Sequence, residues 1–74
     1  MDRKARAMLM LGVLNDAFGD TRNMVYYLQD FVMSHVDWDE IREFGVDEVL
    51  DSARDLEKLI LEKMERLKEV IESD

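Results

Sequence analysis

The sequence predicts an all-α fold: a small three-helix bundle, built as a helical hairpin plus a long C-terminal helix, with a short connecting helix between them. Three observations carry this. The chain has no proline and only three glycines in 74 residues. Apolar residues recur at spacings of three and four, the period of a helix face. Two of the glycines, Gly19 and Gly45, stand where apolar stripes end, the usual place for a left-handed helix stop. Nothing in the chain reads as a linker, repeat or low-complexity segment, so residues 1–74 form a single helical domain.

The first helix is expected over about Arg3 to Phe18. Met8, Leu11, Asn15 and Phe18 share one face, Leu9, Val13 and Ala17 the next, and Met10 and Leu14 widen the stripe. A helix apolar over that much of its circumference is one that gets buried. Gly12 costs roughly 1 kcal/mol against alanine inside a helix, a cost that close approach of a second helix would offset. After Gly19, Asp20 or Thr21 caps a second helix ending near Ser34 or His35, with Met24, Leu28, Phe31 and His35 along its stripe. Asp37 with Glu40 three residues on is a capping-box spacing. It opens a short helix, Trp38 to Phe44, whose apolar face is Trp38, Ile41 and Phe44.

Asp47 is expected to cap the last helix, which runs to about Ser73. Its ladder is Val49, Ala53, Leu56, Ile60, Lys63, Leu67 and Val70, at alternating steps of four and three, with Leu50, Met64 and Ile71 as a flanking row. That is a heptad pattern. Such a helix is about 40 Å long, whereas helices of about 15 residues reach only about 22 Å. The expected body is therefore too short to cover it, and Leu67, Val70 and Ile71 would overhang. Leu59 and Leu61 add to Leu56 and Ile60 to make one stretch apolar on every side. The residues expected at an interface are accordingly Leu56, Leu59, Ile60, Leu61, Lys63, Met64, Leu67, Val70 and Ile71, with Met33 from the second helix. Lys63 either snorkels past its apolar stem or sets the register of paired helices. The other methionines on apolar stripes, Met8, Met10 and Met24, read as core filling.

Size points the same way. A chain of 8.8 kDa buries only about 60% of its surface when folded alone. Small domains usually add disulfides, a metal or oligomerisation. With no cysteine in the sequence, disulfides and thiolate metal sites are excluded, which leaves oligomerisation or docking on a partner and fits a reducing, cytoplasmic setting. Arg3, Lys4 and Arg6 before the apolar run Ala7 to Leu14 loosely mimic a signal peptide, but the run is short and lacks a small-residue cleavage pattern. No stretch approaches the roughly 20 apolar residues of a membrane span.

Ten basic and eighteen acidic residues give a net charge of −8. Residues 1–19 carry three basic and two acidic groups, residues 20–45 two and six, and residues 46–74 five and ten. That field repels nucleic-acid phosphates and anionic lipids and attracts basic protein surfaces. Groove binding by a helix-turn-helix is disfavoured, because Arg22 is the only base on the second helix.

The chemistry-bearing residues are few. Asp37, Asp39, Glu40 and Glu43 form the densest acidic cluster. An EF-hand loop begun at Asp37 fails at its fifth and sixth positions, Ile41 and Arg42, where a ligand and a glycine are needed. His35 is the only histidine and lies in no nucleophile motif with Ser34, Ser52, Ser73 or Thr21. There is no glycine-rich phosphate loop. No cofactor and no metal are expected, and the chain reads as a non-enzyme.

The stretch Glu48-Val49-Leu50-Asp51-Ser52-Ala53-Arg54-Asp55-Leu56-Glu57-Lys58-Leu59-Ile60 resembles the second helix of the Spo0E-type aspartyl-phosphate phosphatases, short two-helix acidic proteins with a Ser-Gln-Glu-Leu-Asp signature. The signature serine falls on Ala53 and its aspartate on Glu57. The resemblance implies a small regulatory phosphatase or response-regulator-binding protein, with Glu57 as its test residue. A third reading takes the acidic face of the last helix as a nucleic-acid mimic, such as a phage-encoded anti-defence protein. The leading expectation is a non-enzymatic protein–protein interaction module (an adaptor, assembly subunit or small inhibitor), a homodimer by preference. It would act through an apolar face of the C-terminal helix and an acidic surface.

Overall fold

The computed structural model describes residues 2–34 and 37–73. Three helices follow in order: α1, Arg3–Ser34; α2, Trp38–Glu43; α3, Val46–Glu72. Among the described residues there is no strand. α1 and α3 pack side by side as a hairpin, and α2 bridges its closed end and packs on α3. The all-α class, the long C-terminal helix and the short connecting helix are those the periodicity predicts.

One boundary differs. The break expected at Gly19 to Thr21 is absent, and α1 runs unbroken through it for 32 residues. The hairpin is therefore made by α1 with α3, not by two short N-terminal helices. The reason lies in a second periodicity. Ala7, Leu11, Leu14, Phe18, Thr21, Val25, Leu28 and Val32 alternate steps of four and three without a fault, and all are buried or half-buried. Gly19 falls outside this seam, where an added Cβ would meet nothing within 4 Å. Its local cost of roughly 1 kcal/mol is smaller than the packing gained by carrying the seam on. Thr21, an expected cap, is instead buried, and its hydroxyl donates to the Ala17 carbonyl one turn back at 2.8 Å.

The opposing seam on α3 is Leu50, Ala53, Glu57, Ile60, Met64, Leu67 and Ile71, again at steps of three and four. This corrects the expected ladder. Leu50, Met64 and Ile71 face α1, while Val49, Leu56 and Lys63 are exposed. The overhang is corrected too. At 1.5 Å per residue α1 spans about 48 Å, longer than α3, so Leu67, Val70 and Ile71 are covered and half-buried.

The turn has two fixed points. The Asp37 carboxylate caps α2 by accepting from the Asp39 backbone N–H at 2.8 Å. Gly45 sits at φ 73°, the left-handed region where a side chain is strained, and is itself the N-cap of α3. Asp47, expected as that cap, lies in the first turn of the helix, where its charge meets the positive end of the dipole. Ile41 of α2 plugs this end and is 1% exposed, the most buried large side chain described.

The result is a single layer of two helices, 52 × 15 × 14 Å, with a radius of gyration of 16.6 Å. A compact chain of this length would have about 11 Å. Two helices touch along one line only, so each leaves most of its circumference uncovered. Exposed large hydrophobic side chains accordingly outnumber buried ones.

Candidate protein-interaction site

The two long edges of the hairpin differ in chemistry. On one, Leu9, Met10, Val13 and Leu14 of α1 meet Lys63, Arg66, Leu67 and Val70 of α3 around an open, almost wholly apolar groove. A heptad spacing carries this edge along both helices. Met10, Ala17, Met24 and Phe31 repeat every seven residues on α1, and Val49, Leu56, Lys63 and Val70 do so on α3. Neighbouring positions add Val13, Tyr27 and Leu59. Met24, Phe31, Leu56 and Leu59 are 42%, 45%, 43% and 47% exposed, too much for core residues. Together they continue the groove as a row of exposed, mostly apolar side chains along both helices, with Lys63 its charged member.

The opposite edge is polar over its middle. Arg22, Tyr26 and Gln29 of α1 line a groove there with Arg54, Glu57 and Lys58 of α3. The Tyr26 hydroxyl accepts from Nε and Nη2 of Arg22 at 3.0 and 2.9 Å, and this contact raises the guanidinium pKa above its ordinary value, helped by the charge of Glu57. The Arg22 guanidinium also lies over the Phe18 and Tyr26 rings at 5.9 and 5.5 Å. Glu57 is half-buried at a seam position and borders this cationic groove.

The residues expected at an interface divide into three sets. Leu56, Leu59, Lys63 and Val70 belong to the apolar face, with Leu67 at its floor. Ile60 and Met64 are buried within the chain and have almost no surface left for a partner, and Ile71 is half-buried at the same seam. Leu61 and Met33, 42% and 76% exposed, lie toward the polar edge, with Met33 beside Trp38 and Arg54. The core role expected of Met8, Met10 and Met24 is corrected, since all three are exposed. Sequence reasoning missed the α1 half of the face, Met10, Val13, Met24 and Phe31. The signal was present as a seven-residue repeat, but it is hidden when α1 is divided at Gly19.

Among the described residues no three of His, Cys, Asp and Glu gather where a metal ion could sit. No described helix is long and apolar enough to cross a membrane. His35 lies outside the described residues.

No family model matches the chain, and no solved structure matches it. An uncharacterized protein of Archaeoglobus fulgidus is 64% identical to it over 73 residues, which cover 97% of this chain and 96% of that protein. The chain and the Archaeoglobus fulgidus protein belong to one family.

Proposed function

We propose that this protein is a non-enzymatic protein–protein interaction module of the cytoplasm, acting through its long apolar face, with the acidic residues keeping its remaining surface soluble. Its favoured state is a complex, with another protein or with itself. One observation carries this reading: an apolar groove between the two helices, extended along them by the exposed side chains of Met24, Phe31, Leu56 and Leu59, with a polar groove on the opposite edge. Single exposed hydrophobics are ordinary, but an apolar groove flanked by a row of them on one edge of both helices is the mark of a surface that docks. An adaptor, an assembly subunit and a small inhibitor all use such a surface.

The test is retention from the native host. Tagged protein is expected to hold one defined protein, an untagged copy of itself included, in stoichiometric amount, and Leu56→Glu to lose it. Recovery of nothing stoichiometric by the wild-type chain sinks the reading.

A second reading is favoured by Glu57. It borders a groove with Arg22, Arg54 and Lys58, cations suited to a phosphorylated partner, in a chain whose α3 resembles the aspartyl-phosphate phosphatases. In that reading the chain speeds dephosphorylation of a response regulator charged with acetyl phosphate, and Glu57→Gln abolishes the effect. Equal rates with and without the protein remove it.

A further inference from the structure

We infer that the apolar face seats a second copy of this chain, face to face, closing a four-helix bundle of two hairpins; this rests on the interaction-module reading and names its partner.

Area decides first. One chain exposes 5765 Å², against about 4,800 Å² for a compact protein of its mass. Two chains apart expose about 11,500 Å², and a compact protein of twice the mass about 7,900 Å². Bringing the pair to ordinary compactness therefore hides about 3,600 Å² in total, well above the roughly 1,600 Å² of a standard interface and within the range of obligate homodimers.

Shape decides next. The face repeats every seven residues on both helices of a molecule 52 Å long. Its complement is a pair of long antiparallel helices with the same repeat, laid about 8–10 Å away. The chain itself meets that description, and a two-fold axis in the plane of the face makes the contact self-complementary. The second layer then gives the two-layer core that a lone hairpin lacks. Charge agrees: Lys63 and Arg66 line the α3 side of the groove, and the exposed Asp16 and Asp20 stand one heptad on from Leu9 and Val13 of its α1 side, so each copy brings counter-charges for the other. The polar groove with Arg22 and Arg54 stays outside.

The full chain, purified alone, is measured by sedimentation equilibrium. The expected mass is twice 8.8 kDa. Leu56→Glu, at the centre of the face, weakens the dimer by at least about a hundredfold, and Lys58→Glu on the other edge leaves it intact. Because a separated hairpin is short of core, Leu56→Glu is read with a second measurement that needs no disruption. The chain has no cysteine, so Leu59→Cys and Lys58→Cys each carry one spin label per copy. The distance between labels is expected to be shorter from position 59 than from position 58. A wild-type monomer at about 100 µM, an undiminished dimer in Leu56→Glu, or the reverse order of label distances overturns the proposal. A monomer that still retains a host protein through this face overturns self-pairing alone and leaves the interaction module standing.

Discussion

Arg54 of α3 reaches across the hairpin and donates from Nη2 to the side-chain oxygen of Gln29 on α1, 3.4 Å away. The contact joins residues 25 apart in sequence and marks which edge of each helix is turned from the apolar face. It is long and exposed, and such bonds contribute little. Arg54→Ala is expected to lower stability by less than about 0.5 kcal/mol in urea titration and to leave the oligomeric state unchanged. A large loss, or dissociation, would place the docking surface on this edge instead.

The three glycines separate by backbone geometry. Gly12 and Gly19 are helical and open, with nothing within 4 Å of an added Cβ. Gly12→Ala and Gly19→Ala should each stabilise by about 0.5–1 kcal/mol. Gly45, at φ 73°, is held left-handed, and Gly45→Ala should cost about 1–2 kcal/mol. Thermal melts of the three variants check both signs; destabilisation by Gly19→Ala would mean that something covers that side of α1.

Ile60 and Leu56 are neighbours by chemistry but not by burial, at 8% and 43% exposed. Ile60→Ala removes packing inside one chain and should cost about 2–4 kcal/mol at any protein concentration. Leu56→Ala should instead lower the melting temperature of the assembled protein in a concentration-dependent manner. Identical, concentration-independent losses for the two would contradict the division between seam and face.

Salt distinguishes the docking partners. Two copies of a chain at −8 repel one another overall, more than the few counter-charges beside the face offset, so raising salt from 50 mM to 0.5 M should tighten self-association. Binding that relied on an acidic surface meeting a basic partner would weaken over the same range. Sedimentation across a salt series reads the sign directly.

Much of the architecture is legible in the residues. Helicity follows from the absence of proline and the three-four spacing; the turn follows from Asp37, Ile41 and Gly45, whose cap, apolar anchor and left-handed backbone act within a few residues of one another. The heptad of α3 is equally plain. These are local properties, and local physics determines them. Two matters were decided only in three dimensions. One is that α1 passes through Gly19, because the seam from Phe18 to Val25 gains more from α3 than the glycine loses. The other is which stripe of α3 faces inward. Ala53, Ile60 and Leu67 belong to both candidate ladders, so either Leu56 or Glu57 could stand in the seam on spacing alone. The fold puts Glu57 there and leaves Leu56 outside, beside Met24 and Phe31 on the shared face, because the choice depends on where the apolar arcs of both helices can be covered at once, and a single helix read alone does not contain its neighbour.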